Sequence, residues 1–283
     1  MSVSTFIPAV WSRSLLVNLH KSLVFGQPAV INRDYEGDIA GFGSSVKIHN
    51  IGPITVSDYT VNTDLTAPEA LTDNETVLSI DRQKAFNFQI DDVDNAQTQP
   101  KLMEGAMYEA AYALGNEADA YLGSLHAQAG ITTGFGSTAS PIVPTSTTAY
   151  EYLADAYTAL DEANAPTENR WVVVPPWYHG LLRKDQRFIS YGTQENRQTL
   201  ANGVIGEAGG FKVFVSNNIA NTSGTKYKVL FGHPSAWSMA NQVQKVEAFR
   251  MEKRFADAVK GLHVYGAKVV RPTILGCMTA SKS

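Results

Sequence analysis

Residues 101–127 read KLMEGAMYEAAYALGNEADAYLGSLHA, and no other stretch of the chain states its conformation so plainly. The run holds neither proline nor a β-branched residue, so the strongest helix breaker and the side chains stiffest at χ1 are both missing from it. Leu102, Ala106, Ala110, Ala113, Leu114, Tyr121, Leu122 and Leu125 recur in steps of three and four and define an apolar stripe. Pro100 suits a first helical turn. At 1.5 Å per residue the segment predicts a rod of roughly 40 Å. A helix of that length exceeds the common range and implies an elongated body.

Upstream, residues 46–90 read as strands and a long hairpin. Val46 and Ile48 alternate with Lys47 and His49, and Ile54 and Val56 with Thr55 and Ser57. On the return limb Ile80, Phe86, Phe88 and Ile90 share one parity. Between the limbs TVNTDLTAPEALTDNET is polar and interrupted by Pro68, as expected of a projecting loop tip. Residues 1–45 read as an arm. Trp11, Leu15, Leu16, Leu19 and Leu23 predict a short amphipathic helix, and NRDYEGDIAGFG (32–43) predicts extended chain. Neither extension carries enough apolar residues for a core of its own.

Downstream, Ala149–Ala163 predicts a second helix with Tyr150, Leu153, Tyr157 and Leu160 on one face, capped by Thr147 or Thr148 with Glu151. RWVVVPP is a buried strand stopped by two prolines, and Trp177–Lys184 a short helix. FKVFVSNNI and YKVLFGHP read as two successive strands, SAWSMANQ as a helical turn, and Val243–Cys277 as further strand-like runs. Helices segregated from mainly antiparallel strands make the class α+β.

Composition narrows the function. The 283 residues suffice for a large core without metal or disulfide. Charged residues are only 18%, which suits a surface largely covered by other copies of the chain. A net charge of −4 offers no broad basic face for nucleic acid. The lone Cys277 excludes an internal disulfide and suits a reducing cytoplasm. Neither a signal sequence nor a bilayer-length apolar run is visible.

Chemical motifs are weak. Asp91, Asp92 and Asp94 could ligate a metal, but acidic groups also gather at a helix N-terminus, and that reading is preferred. His20, His49, His126, His179, His233 and His263 lack the spacing of a helical zinc site, and no serine sits in a G-x-S-x-G elbow. Gly203, Gly206, Gly209 and Gly210 mimic a phosphate loop without the strand before and helix after that such a loop requires, so a plain loop is expected. Trp11, Trp171, Trp177 and Trp237 lack interleaved basic residues and are expected in core or interface. No catalytic, cofactor or metal residue is assigned.

Four stretches, taken in order, resemble one family. NRDYEGDIAGFGSSVKIHNIGPITVSDY (32–59) resembles its arm-to-loop entry, LSIDRQKAFNFQIDDVDNAQ (78–97) its return limb into the long helix, GVIGEAGGFKVFVSNNI (203–219) the loop and strand of its axial domain, and FADAVKGLHVYGAKVVRP (255–272) its closing strand. The family is the major capsid protein of tailed bacteriophages, whose fold is shared with encapsulins and the floor of herpesvirus capsids. The resemblance runs from about Trp11 to Pro272. It implies an N-terminal arm (1–45), an extended hairpin loop with flanking strands (46–90), a peripheral domain with the spine helix (91–165), a mainly axial domain (166–242) and return strands of the peripheral domain (243–283).

It further implies pentamers and hexamers closed into an icosahedral head around double-stranded DNA that is not read by sequence. Copies of the chain are the first partner, with a separate scaffolding protein, a portal and decoration proteins as others, no cofactor and no membrane. The chain starts almost directly with the arm, unlike relatives that carry a cleaved scaffolding segment, so the resemblance implies either a separate scaffold or a chain already in its mature form. The implied location is the virion, after assembly in the host cytoplasm. Subunit-interface candidates are Trp11, Arg33, Tyr35 and Glu36 on the arm, Asp58, Tyr59, Asp64, Glu69 and Asp73 on the loop, and Arg82 and Lys84 on the return limb. An encapsulin-like compartment shell is the alternative within the fold. A hydrolase with a triad assembled in space, and a surface-layer or adhesin protein, are the alternatives outside it.

Overall fold

The computed structural model describes residues 24–34, 45–51, 56, 58, 61, 64, 73–91, 102–185 and 206–282. In chain order the described elements are β1 (Ser45–Ile51), β2 (Asp73–Ser79), β3 (Arg82–Asp91), α1 (Leu102–Ser124), α2 (Ala149–Glu162), β4 (Trp171–Val174), α3 (Pro176–Leu182), β5 (Glu207–Ala208), β6 (Phe211–Val215), β7 (Asn221–Thr222), β8 (Lys226–Gly232), β9 (Trp237–Arg250), β10 (Ala256–Val269) and β11 (Leu275–Ser281). The arm helix expected over 11–23, the extended segment after Asp34 and most of the loop tip lie outside the described residues.

The long helix forms where expected. Its 23 residues span about 35 Å, and a 3-10 turn, Leu125–Gln128, extends it. The buried face differs from the predicted stripe. Met107, Ala111, Leu114, Ala118, Leu122 and Leu125 are buried, whereas Ala113 is exposed. Alanines lie all round this helix, so alanine spacing alone does not select a face.

Beside it runs an antiparallel three-stranded sheet in the order β3-β10-β9. Val246 and Val259 pack on Met107 and Ala111, flanked by Phe86 and Phe88, which stack at 5.9 Å. The pairing of β9 with β10 is irregular between Leu262 and His263. SMANQ, expected in a helical turn, is the start of β9, and only Pro234–Ala236 forms a 3-10 turn.

The projecting hairpin is made by β1 and β2, paired from Ser45↔Ser79 to Ile51↔Asp73. The return limb is therefore 73–79, part of which the sequence placed in the polar tip, while 82–91 belongs to the other sheet. A ladder of main-chain bonds needs little apolar patterning, and Ile48 and Leu78 suffice to bury the root of the hairpin. Gly266 lets it cross β10. A Cβ there would lie 2.2 Å from the carbonyl oxygen of Ser79.

A six-stranded sheet, in the order β11-β8-β4-β6-β5 with β7 pairing β8, holds the main core. The strands β6 and β8, successive in sequence, are not neighbours. The all-buried β4 lies between them, parallel to β6 and antiparallel to β8. Of the C-terminal strands, β10 pairs with β3 and β9, whereas β11 pairs with β8. Its LGCMTA run is buried throughout, as a strand covered on both faces requires. The helix α2 buries Leu153, Ala156 and Leu160 in the same core as Trp171, Phe211 and Phe231.

Three details correct or refine the local reading. Thr148 is the N-cap of α2 but makes no capping bond. Its Oγ1 instead accepts the Thr145 amide at 2.9 Å. Asp91 ends β3 opposite Ala256, well upstream of α1, so a helix dipole does not explain it; Asp92 and Asp94 lie outside the described residues. Gly209 and Gly210, at φ +58° and +81°, make the tight turn between β5 and β6, which is turn chemistry rather than a phosphate cradle.

Both flanks of the large sheet are managed. Residues 129–142 run along the outer side of β11, with bridges Ile131↔Gly276 and Ile142↔Ala280. At the other end β5 has only two residues.

Candidate functional site

Of the expected arm, residues 24–32 have a place in the subunit's own core. Phe25, Val30 and Ile31 are fully buried. Phe25 meets Trp237 edge-on at 6.1 Å, and Trp237 stacks on Trp171 at 5.5 Å. The indole Nε1 of Trp237 donates to the Val30 carbonyl at 2.7 Å. Asn32 bridges Ser238 at the start of β9. These residues fix the root of the arm.

The polar centre of this root is Asp119, on α1. Its Oδ1 accepts the amides of Val24 at 2.8 Å and Phe25 at 2.7 Å, and its Oδ2 accepts Asn218 Nδ2 at 3.0 Å. Ser216 Oγ completes the cluster at 3.5 Å. Burial raises the Asp119 pKa against the opposing pull of these donors. One carboxylate thus ties the arm, the long helix and the loop after β6 together. The sequence signal was present but unread: an Asp between Ala118 and Ala120, one position off the apolar stripe.

Interface candidates divide into four groups. Trp11, Tyr35, Glu36, Tyr59 and Glu69 lie outside the described residues. Asp58 and Asp64 are exposed, and Asp73 opens β2 opposite Ile51. Arg33 is half-buried beside the arm root. Arg82 and Lys84 face this chain's own helix. The Arg82 guanidinium lies 4.8 Å from the Tyr121 ring centre, and Lys84 Nζ is 2.8 Å from Glu117. They share the parity of Phe86 and Phe88, which places them on the helix side of β3.

Large apolar side chains remain on the surface. Phe255 is 80% exposed at the β9–β10 turn, Val56 is 93% exposed on the hairpin loop, and Tyr108 and Tyr112 are exposed on α1. A shallow hollow of about 200 Å³ near that turn is lined by Asn87, Phe88, Gln89, Phe249, Met251 and Ala258, with no titratable group. Such surfaces suit association rather than chemistry.

Chemical groups are spread out. Among the described residues no three His, Cys, Asp or Glu side chains gather as metal ligands, and no described helix is long and apolar enough to cross a membrane. Burial pushes the Cys277 thiol up to about 11, which makes it a poor nucleophile. His233 Nδ1 lies 2.8 Å from Ser235 Oγ, but it also accepts the Ser235 amide and so caps the 3-10 turn. His263, fully buried, is lowered to about 4 by desolvation.

The architecture is that of a shell subunit: a long helix backed by a narrow sheet, a second core around a larger sheet, and a hairpin rooted on the narrow sheet. The model of a phage capsid protein family matches residues 74–275, well over half of the chain. The chain belongs to the phage capsid protein family, and its role is that of a major capsid, structural protein. A solved structure from Mycobacterium phage Che8 is 30% identical with a TM-score of 0.75 over 90% of each chain. The capsid of the cyanophage P-SCSP1u is 19% identical with a TM-score of 0.67, over 87% of this chain and 85% of that one. A virus-like particle from Pyrococcus furiosus shares the fold at 12% identity, with a TM-score of 0.55 over 96% and 99%. No curated protein matches the chain.

Proposed function

We propose that this chain builds the head of a tailed phage as pentamers and hexamers of an icosahedral shell around double-stranded DNA, assembled in the host cytoplasm, with no catalytic activity of its own. The observation that carries this is the hairpin. Among the described residues of β1 and β2 only Ile48 and Leu78 are buried, at the root of the hairpin, and the loop beyond them carries exposed Val56 and Val61. Such an extension gains its stability by lying on a neighbouring copy. Head-to-tail contacts of this kind close into rings at the right rotation, and many weak ones acting together make closure cooperative.

In this reading α1 with β3, β9 and β10 is the peripheral domain, and the six-stranded sheet with α2 and α3 is the axial domain. Asp58, Tyr59, Asp64 and Glu69 then act in contacts with a neighbour, and the arm before Val24 reaches a second one. A separate scaffolding protein and a portal complete the assembly, and decoration proteins bind its outside. A net charge of −4 leaves packaged DNA free to eject.

The test replaces residues 52–72 by Asn-Gly, which joins Ile51 to Asp73 in a two-residue turn. A folded subunit that forms no shells in negative-stain microscopy is expected. Normal icosahedral particles from this variant overturn the role given to the loop.

A further inference from the structure

The arm root occupies only one end of a longer track on α1. Tyr108, Tyr112, Asn116, Asp119 and Gly123 follow one another in steps of four, four, three and four, so they form one row along the helix. At its C-terminal end the row is filled. Asp119 holds the amides of Val24 and Phe25, and the Phe25 ring would lie 3.4 Å from a Cβ at Gly123. Toward the N-terminus the same row is bare, with Tyr108 57% and Tyr112 54% exposed. Two large aromatic side chains in open solvent, in line with an occupied groove, mark its continuation.

Charge and length identify the occupant. The sequence LMEGAMYEAAYALGNEADAYLGS of α1 contains four acidic residues and no lysine or arginine. Residues 1–23, MSVSTFIPAVWSRSLLVNLHKSL, contain Arg13 and Lys21 and no acidic residue. That polarity is opposite to the helix in a chain that is acidic as a whole. From Asp119 back to Tyr108 the helix rises about 16 Å, and Trp11–Leu23, read as the amphipathic helix its spacing predicts, covers about 18 Å. The row starts where Val24 is pinned.

We propose that residues 11–23 of the same chain lie parallel to α1 along this row in the free subunit, with Leu15, Leu16 and Leu19 against Tyr112 and Trp11 near Tyr108. The tether at Val24 makes this contact intramolecular, so it outcompetes the same contact from another copy until assembly presents a neighbour. The segment that clasps a neighbour in the shell is thereby stored on its own helix beforehand. Assembly then exchanges one aromatic row for another, and a premature clasp is disfavoured.

Leu16→Cys combined with Tyr112→Cys tests the placement in the full chain, since the native Cys277 is buried. Under mild oxidation of the dilute subunit most chains should form an internal disulfide, seen as a reductant-sensitive gain in mobility. No disulfide overturns the proposal. So does a disulfide forming equally well between two chains that carry one substitution each, which would assign the row to a second copy.

Limited trypsin digestion gives an independent readout at Arg13 and Lys21. Tyr108→Ser with Tyr112→Ser should speed both cleavages about tenfold at an unchanged far-UV circular dichroism spectrum. Equal rates overturn the proposal, and if that variant fails to fold, the disulfide decides.

Discussion

The carboxylate of Asp119 accepts the amide of Phe25 at 2.7 Å across 94 residues of sequence. Removing it leaves two backbone amides without an acceptor in a dry site. Asp119→Ala should cost about 3 kcal/mol, because bonds to a charged acceptor are strong and orphaned donors carry their full desolvation penalty. Asp119→Asn keeps one acceptor oxygen and should cost less. Urea unfolding followed by tryptophan fluorescence measures both, and a loss under 1 kcal/mol for the alanine variant would mean that the arm root is held by Phe25 packing alone.

His263 gives stability a pH dependence. Its ring is buried beside Tyr265 at 4.8 Å and bonded to Asn241, across the sheet from Lys84, and its pKa falls from 6.5 to about 4. A histidine lowered by folding holds fewer protons in the native state than in the unfolded one. Its contribution is therefore complete above about pH 6.5 and is lost as the pH falls toward 4, to a total of about 3 kcal/mol. His263→Gln should flatten the difference between pH 4 and 6.5 relative to the unaltered chain. Parallel pH profiles of the two would refute the assignment.

Arg170 carries a buried guanidinium on the edge of β4. It donates to the carbonyls of Pro166 at 2.8 Å, Ala165 at 2.9 Å and Tyr157 at 3.3 Å, pairs with Asp161 at 2.7 Å and lies 4.2 Å from the Tyr157 ring centre. Lysine cannot serve these acceptors as a planar fork. Arg170→Lys should destabilise by about 2 kcal/mol and Arg170→Ala by about 4 kcal/mol. Equal losses would show that the fork geometry contributes nothing.

Gly266→Ala should lower stability by about 2 kcal/mol, since its Cβ would meet backbone atoms of Ser79 and Ile80 at 2.2 and 3.0 Å and the hairpin root would have to move. Gly134→Ala, with open space around its Cβ but φ of +86°, pays only for its backbone angle and should cost less. Thermal melts of the two variants make the comparison.

What the sequence made legible follows from where local chemistry is decisive. The long helix, α2 and β4 were plain because propensity, proline stops and periodicity agree there. The 73–79 limb was not, because Asp73, Asn74 and Glu75 are poor strand formers held by ladder bonds to β1. The insertion of β4 between β6 and β8 was hidden because three apolar runs look alike in any order. The site was the least legible part. Arg82 and Lys84 read as candidates for a neighbour because they are charged on a strand, and only the register reveals that they also meet Tyr121 and Glu117 of α1. Asp119 escaped notice because its partners are backbone amides, which no motif records.

The outer side of β11 is already paired by the chain running from Ile131 to Ile142. A sheet closed in this way offers no template on that side for an incoming strand. A copy that meets this flank meets side chains and not a ladder of main-chain bonds. The strap on β11 therefore keeps this flank of the sheet from fusing two copies strand to strand.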